Sequence, residues 1–482
     1  MTAINGSQLS APPAVLTRAA LTQARGVAAD PAPIRIVHIG LGAFARAHQV
    51  WYTAQVDDAG EWGIAAFTGR NPTVADQLAP QDGLYTLIER SADGDRAEVV
   101  ASLSEVVDGA RVDRLVELIA AERTALVTMT VTESGYRLHP DGSLDLDDPA
   151  IRADLQTLRV SGTGSETPAL TTALGRLVLA LAARRRAGNG PIAVVPCDNI
   201  PDNGRYVRTG VIALASAWEP VIADWIASEV SFVSTSVDRI TPRATGEELQ
   251  AVEQLTGWRD AAAVITEPFA DWILCGSFPA GRPEWERAGA RFTDDIESFE
   301  RRKLWLLNGA HSLLAYAGQL RGHHTVAAAI ADETCADAVA ALWDEACRHL
   351  PAELDLDAYR EALLRRFGNG RIAHHLGQIE AEAVTKLRVR IVPIALAERA
   401  ASRPASACAS AIGAWVRLTL EGRTMVDAKR DAVLSALAAE DPSEALIAIL
   451  HAELAEDVEF MALVRAAAEQ WGSGFTRTEE GR

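Results

Sequence analysis

The sequence predicts an α/β domain followed by a mostly α-helical one. Three observations carry this. Short β-rich runs recur at about helix-length intervals, a glycine turn joins the first run to a helix-forming stretch, and strand signals stop after about residue 290.

Taken in order, residues 1–33 (MTAINGSQLSAPPAVLTRAALTQARGVAADPAP) read as a flexible N-terminal arm. They lack a basic segment followed by an uninterrupted apolar run, and no window elsewhere reaches membrane-spanning length, so a cytoplasmic location is the default expectation. IRIVHI (34–39) is the first strand. WGIAAFTG (62–69), ALVTMTVT (125–132) and IAVVPC (192–197) continue the series, with VDRLVELIAAE and ALTTALGRLVLALAARRRAG as helices between them. Such alternation predicts a largely parallel sheet with helices on both faces. SGTGSETP (161–168) marks an exposed loop. Helical composition then dominates 297–320, 325–349, 354–367 and the Ala/Leu-rich remainder, which sets the expected domains at 34–290 and 291–482.

Composition narrows the function classes. With 48% hydrophobic residues the chain can bury a substantial core, and a net charge of -19 disfavours partners such as nucleic acid or an anionic membrane. Cys197, Cys275, Cys335, Cys347 and Cys408 are widely spaced, with no CxxC pair and no histidine at metal-ligand spacing. They read as reduced thiols, and no metal is expected.

In GLGAFA, Gly40, Gly42 and Ala45 fit G-x-G-x-x-[GA], with Phe44 just before the small third residue. Between a strand and a helix this spacing is the fingerprint of a Rossmann-type dinucleotide site: a tight turn, a backbone that can approach pyrophosphate, and close helix packing. A tight turn without a ligand is the plainer alternative. The acid that holds the ribose of NAD after the second strand is missing, and TGRNP places Arg70 there. Arg70 admits NADP beside NAD, or is an ordinary surface arginine.

FERRKLWLLNGAHSLLAY (299–316) reads as a buried helix, because no Asp, Glu, Lys or Arg lies between Lys303 and Arg321. At roughly 100° per residue, with Lys303 as zero, Glu300 falls near ~60°, His311 near ~80° and Asn308 near ~140°. Leu306, Ala310 and Leu313 take the opposite side. Buried polar groups need partners, so the arc either satisfies itself in a core or lines a site. Two further polar residues, Asn199 and Asp238, follow strands and so fall on the rim where ligands of open α/β sheets bind, although Asx turns also favour those residues.

IVHIGLGAFARAHQ, QDGLYTL, TVTESGY, CDNIPDNG, VDRITP, EPF, GRPEWERAG and KLWLLNGAHS, in that order, closely resemble the polyol-specific long-chain dehydrogenases, the group of mannitol 2-dehydrogenase and fructuronate (mannonate) reductase. The resemblance implies a metal-independent, nicotinamide-dependent oxidoreductase with its active site between the two domains, acting on a sugar, polyol or sugar acid. The family's K-x4-N-x2-H motif falls on Lys303, the general base, with Asn308 and His311. Its DN motif makes Asn199 a second amide donor to the oxyanion, its E-x2-K arrangement makes Glu300 a proton relay, and its VDRITP makes Asp238 an orienting carboxylate. Where the family has D-G-S-x-K, this chain has Glu382, Ala383 and Val384 before the retained Lys386, and Cys275 and Gly276 replace acidic residues after a tryptophan. Gln378 resembles the sugar-acid reductases, and with Lys386 and Arg390 it makes the expected substrate contacts. Two rivals remain: a polyol-phosphate dehydrogenase using Arg371, Lys386 and Arg390, and a non-catalytic cofactor-binding sensor of the same fold.

Overall fold

The computed structural model describes residues 13–26, 30–56, 58–161, 167–423 and 427–472. The chain divides into two compact units, Met1–Ile296 and Glu297–Arg482.

Six parallel strands form the central sheet of the first unit: β1 Ile34–Ile39, β2 Gly63–Phe67, β3 Leu103–Val107, β4 Leu126–Met129, β5 Ile192–Pro196 and β6 Val230–Phe232. Their hydrogen-bonded order is 3-2-1-4-5-6. This is the Rossmann order, whose switch point lies between β1 and β4. Val37, Ile39, Ala65, Phe67, Val127 and Met129 point into one core, and Ile36, Ile64, Ala66 and Leu126 into another. The strands are therefore apolar at successive positions, as strands covered on both faces must be.

Helices Val112–Ala120, Ala173–Arg186 and Asn203–Trp218 cover the first face. The second face also carries helices, Ala43–Ala47, Gln49–Ala54 and Thr73–Leu78, which share it with strands of two small sheets through Tyr85, Leu87, Val100, Trp272 and Leu274. In one sheet, Tyr85–Ser91 and Gly94–Val100 form an antiparallel hairpin that Val264–Thr266 joins in parallel. In the other, Ser234–Asp238 pairs with Asp271–Cys275, and the latter with Arg291–Phe292. The hairpin escapes a reading by apolar runs because its outer strand, GDRAEVV, is mostly polar. The Asp93-Gly94 dipeptide at its turn is the local signal for it.

The stretch read as an arm is ordered structure in its described part. Ala14–Val15 pairs with Trp258–Arg259, and helix Arg18–Arg25 follows, capped by the Thr17 hydroxyl. Leu16 and Leu21 bury against Leu84, and Arg18 donates to the carbonyls of Ala101 and Leu103 at 2.9 and 2.7 Å. Two spaced leucines and a capped turn suffice to dock it. The remainder of that expectation, at 1–12 and 27–29, and most of the expected loop at 161–168 lie outside the described residues.

The second unit is helical. Gly309–Leu320 is buried around nearly its whole circumference and packs on Ser406–Leu420, Glu333–Cys347 and Leu376–Glu380. That burial explains its lack of charge, since a helix apolar on all sides belongs in a core. Among the described residues no helix is long and apolar enough to cross a membrane, and no His/Cys/Asp/Glu group could hold a metal ion. The cysteines form no disulfide.

Candidate active site

In the first unit the glycine turn leaves the carboxyl end of β1. The amides of Gly40 and Leu41 donate to Phe67 O at 2.9 and 2.8 Å, tying the turn to β2. Gly40 has φ +104°, and a Cβ there would overlap the Thr130 carbonyl, so the fold itself demands glycine. Gly42 is different. Its φ of -125° suits any residue, and a Cβ would meet nothing closer than Gly40 O at 3.8 Å. Nothing among the described residues requires glycine at 42, which leaves the space to a ligand. Ala45 is fully buried, as close packing of this helix requires, and Phe44 stacks on His48 with ring centroids 5.0 Å apart. The helix expected to run on from the turn breaks at His48 into Ala43–Ala47 and Gln49–Ala54.

Beneath the turn lies a network that motif reading missed. His38 Nδ1 contacts Thr128 Oγ1 at 2.8 Å, and Nε2 contacts Thr130 Oγ1 at 3.2 Å, while Thr130 Oγ1 donates to Gly40 O at 2.7 Å. Burial lowers the His38 pKa to about 4, so the ring is neutral near pH 7. A histidine in the strand just before the glycine turn was the available signal.

Arg70 is exposed at the carboxyl end of β2, and Asn199 is exposed in the loop after β5. The residue before Asn199 anchors that loop: the Tyr136 hydroxyl donates to Asp198 Oδ2 at 2.6 Å, and Ile200 N donates to Oδ1 at 3.2 Å. Burial raises the Asp198 pKa, opposed by the Tyr136 hydrogen bond. Asp238 ends its strand directly across from Asp271. Arg239 beside it is committed to structure, donating to Ala47 O, Glu267 O and Glu89 Oε1 at 2.6, 3.1 and 2.7 Å.

In the second unit the helix carrying the polar arc is not uniformly α. Ile296–Arg302 is α-helical, Lys303–Asn308 winds as a π-helix, and Gly309–Leu320 returns to α. This corrects the arc derived at α-helical pitch. A π turn closes i→i+5, so Lys303 and Asn308, five residues apart, stack along one face instead of lying ~140° apart. Leu306, Ala310 and Leu313 are fully buried, as expected of the far side. Lys303, Asn308 and Glu300 are only partly buried, whereas the sequence had suggested an inside position for the whole helix.

His311 is buried, its Nε2 has no hydrogen-bond partner among the described residues, and its ring lies 4.9 Å from Phe367 and 4.8 Å from His374. Burial, then the nearby His374, Arg366, Arg390 and Lys386, hold its pKa well below the usual value. His311 is therefore a neutral hydrogen-bonding group near pH 7 and not a cation. His374 was not singled out from sequence, although the HisHis pair preceding Gln378 was visible.

Gln378 is exposed on the short helix Leu376–Glu380, and Lys386 Nζ donates to the neighbouring Ile379 carbonyl at 2.8 Å. Arg390 Nη1 donates to Asn308 O at 3.3 Å and to Ser312 Oγ at 3.1 Å. Burial, reinforced by Arg390, lowers the Lys386 pKa. Neither cation forms an ion pair with Glu380 or Glu382: Glu380 accepts from Gln319 Nε2, and Glu382 accepts from Ala428 N at 3.0 Å. Glu382 and Asp427 still act on Lys386 through space, against the larger effect of its burial.

Residues 34–287 match the mannitol dehydrogenase Rossmann domain, and residues 295–471 match the mannitol dehydrogenase C-terminal domain. The chain is 38% identical to the uncharacterized oxidoreductase YeiQ of Escherichia coli (strain K12), over 80% of this chain and 78% of that one. It is 36% identical to the D-mannonate oxidoreductase of the same organism, over 74% of each. Its fold matches the Pseudomonas fluorescens mannitol 2-dehydrogenase solved with NAD and D-mannitol, with a TM-score of 0.73, 30% identity, and coverage of 92% of this chain and 93% of that one.

Proposed function

The chain belongs to the mannitol dehydrogenase family of NAD-dependent secondary-alcohol oxidoreductases, and from that premise we propose that it interconverts a six-carbon keto-uronate and the corresponding aldonate, with Lys303 as general base. The observation that carries the mechanism is the π turn that sets Lys303 and Asn308 on one face, one helical turn before a neutral His311.

The glycine turn fits a dinucleotide. Gly42 leaves backbone and open space for a pyrophosphate, with Phe44 and Ala45 in the following turn. NAD held there supplies the hydride acceptor for the carbinol carbon. Protons are the chain's task. Lys303 takes the hydroxyl proton, and Asn199 and Asn308 donate amide hydrogens to the oxygen as it gains charge. His311, uncharged, hydrogen-bonds a neighbouring hydroxyl. Asp238 orients this set and Glu300 relays the proton from Lys303 to solvent.

Lys386, with Gln378 beside it, supports an acid substrate. A protein of net charge -19 needs a local cation to hold a carboxylate, and Lys386, whose Nζ donates to a backbone carbonyl, is a half-buried cation near Glu382 and Asp427 but in direct contact with neither. The relative named for D-mannonate agrees with this choice. The test is a panel of ketoses, keto-uronates and their phosphates, assayed with NADH and NADPH by loss of reduced-nicotinamide absorbance. Fructuronate reduced with NADH at the highest kcat/KM is the expected result. Preference for a sugar phosphate, or reduction of neutral fructose alone, refutes the substrate assignment, and strict use of NADPH would give Arg70 the 2′-phosphate.

A further inference from the structure

π-helical turns are rare and occur as single-turn interruptions of α-helices, so something outside the ladder must favour one where it persists. At the return to α geometry the Gly309 amide is divided between the carbonyls of Leu304 and Leu306. Two side chains from neighbouring helices reach carbonyls of this same turn. Trp343 Nε1 donates to Leu306 O at 2.8 Å, and Arg390 Nη1 donates to Asn308 O at 3.3 Å while holding Ser312 Oγ at 3.1 Å in the next turn. Trp343 is 1% exposed, so water cannot take its place as donor.

We propose that Trp343 and Arg390 are positioning residues: they hold Lys303–Asn308 in the π form and so keep the base and its amide partner on one face. This rests on the catalytic reading of Lys303 given above. Without these donors a regular α-helix would recover its full ladder, and Asn308 would rotate ~140° from Lys303. Arg390 then acts on the reaction through the backbone of Asn308, and the substrate carboxylate falls to Lys386.

The test replaces Trp343 site-specifically with benzothienylalanine, which keeps the shape of the ring system but lacks the N–H, and pairs it with Arg390→Met and Arg390→Lys. Polyol and aldonate oxidation are followed across pH, with NADH affinity measured by fluorescence titration. The expected outcome is a kcat loss on the order of ten- to a hundred-fold, as for a misplaced reacting group. NADH affinity should not change, the pH profile of kcat should differ from that of wild type because the base is displaced, and Arg390→Lys should partly restore the rate. A purely structural role would lower the yield of folded enzyme without moving that pH profile. If the benzothienylalanine and Arg390→Met enzymes keep kcat and profile within about two-fold of wild type while Lys303→Ala is inactive, the positioning role is refuted and the catalytic reading stands. If Lys303→Ala itself retains full turnover, both fall together.

Discussion

Gly40 and Gly42 are two residues apart in one motif, yet they should fail differently when a side chain is added. At Gly40 the backbone has φ +104°, which costs an L-residue about 1–3 kcal/mol. The added Cβ also overlaps the backbone carbonyl of Thr130, which no rotamer change relieves, and forcing the strand end apart adds a further ~1–3 kcal/mol. Gly40→Ala should therefore lose about 2–6 kcal/mol of a total that is typically only about 5–15 kcal/mol. At Gly42 the new Cβ finds only Gly40 O at 3.8 Å, an ordinary contact, in an extended conformation open to any residue. Replacing a glycine N-cap by alanine costs ~1 kcal/mol or less. Gly42→Ala should thus fold almost as wild type, and Gly42→Val should lose about ten-fold or more in NADH affinity by filling the approach to the pyrophosphate. Urea unfolding followed by tryptophan fluorescence gives the stabilities, and NADH titration gives the affinities. Wild-type NADH affinity in Gly42→Val, or equal destabilisation of the two alanine variants, would refute this division of labour and with it the cofactor site.

Three other outcomes are expected. Lys303→Ala should lose on the order of 10² to 10⁴ in the rate of alcohol oxidation while binding NADH normally, and near-wild-type turnover would end its assignment as base. In Lys386→Met the kcat/KM ratio of fructuronate to fructose should collapse; an unchanged ratio would assign the carboxylate elsewhere. His38, with its pKa lowered to about 4 in the fold against 6.5 unfolded, contributes stability that is complete above pH 6.5 and is lost as pH falls towards 4. Between pH 7 and pH 5 wild type should lose about 2 kcal/mol more than His38→Gln, and parallel losses would show that the ring is not held neutral. His311 has the same sign, so the comparison is with the single variant and not with a histidine-free chain.

Local pattern was enough for the α/β class, the four strands quoted from sequence, the glycine turn and the uncharged helix after Lys303, because each rests on residues adjacent in the chain or on one period. The hairpin over the second face was not legible as a pair of apolar runs, since its outer strand is mostly polar and it packs against a core supplied by distant segments. The docked helix at Arg18–Arg25 was hidden for the same reason: its leucines acquire meaning only against Leu84. Sequence by itself determined which groups are present for the proposed chemistry: Lys303, Asn308, His311, Asn199 and the glycine turn. Tertiary structure decided how they are placed. The π winding that aligns Lys303 with Asn308 meets donors from Trp343 and Arg390, 37 and 82 residues away from the carbonyls they reach. The neutrality of His311 and His38 comes from burial, and the commitment of Arg390 to a backbone carbonyl from its place beside Asn308. Hydrogen-bond geometry and desolvation depend on what surrounds a residue in space, and a linear pattern with a fixed helical pitch carries neither.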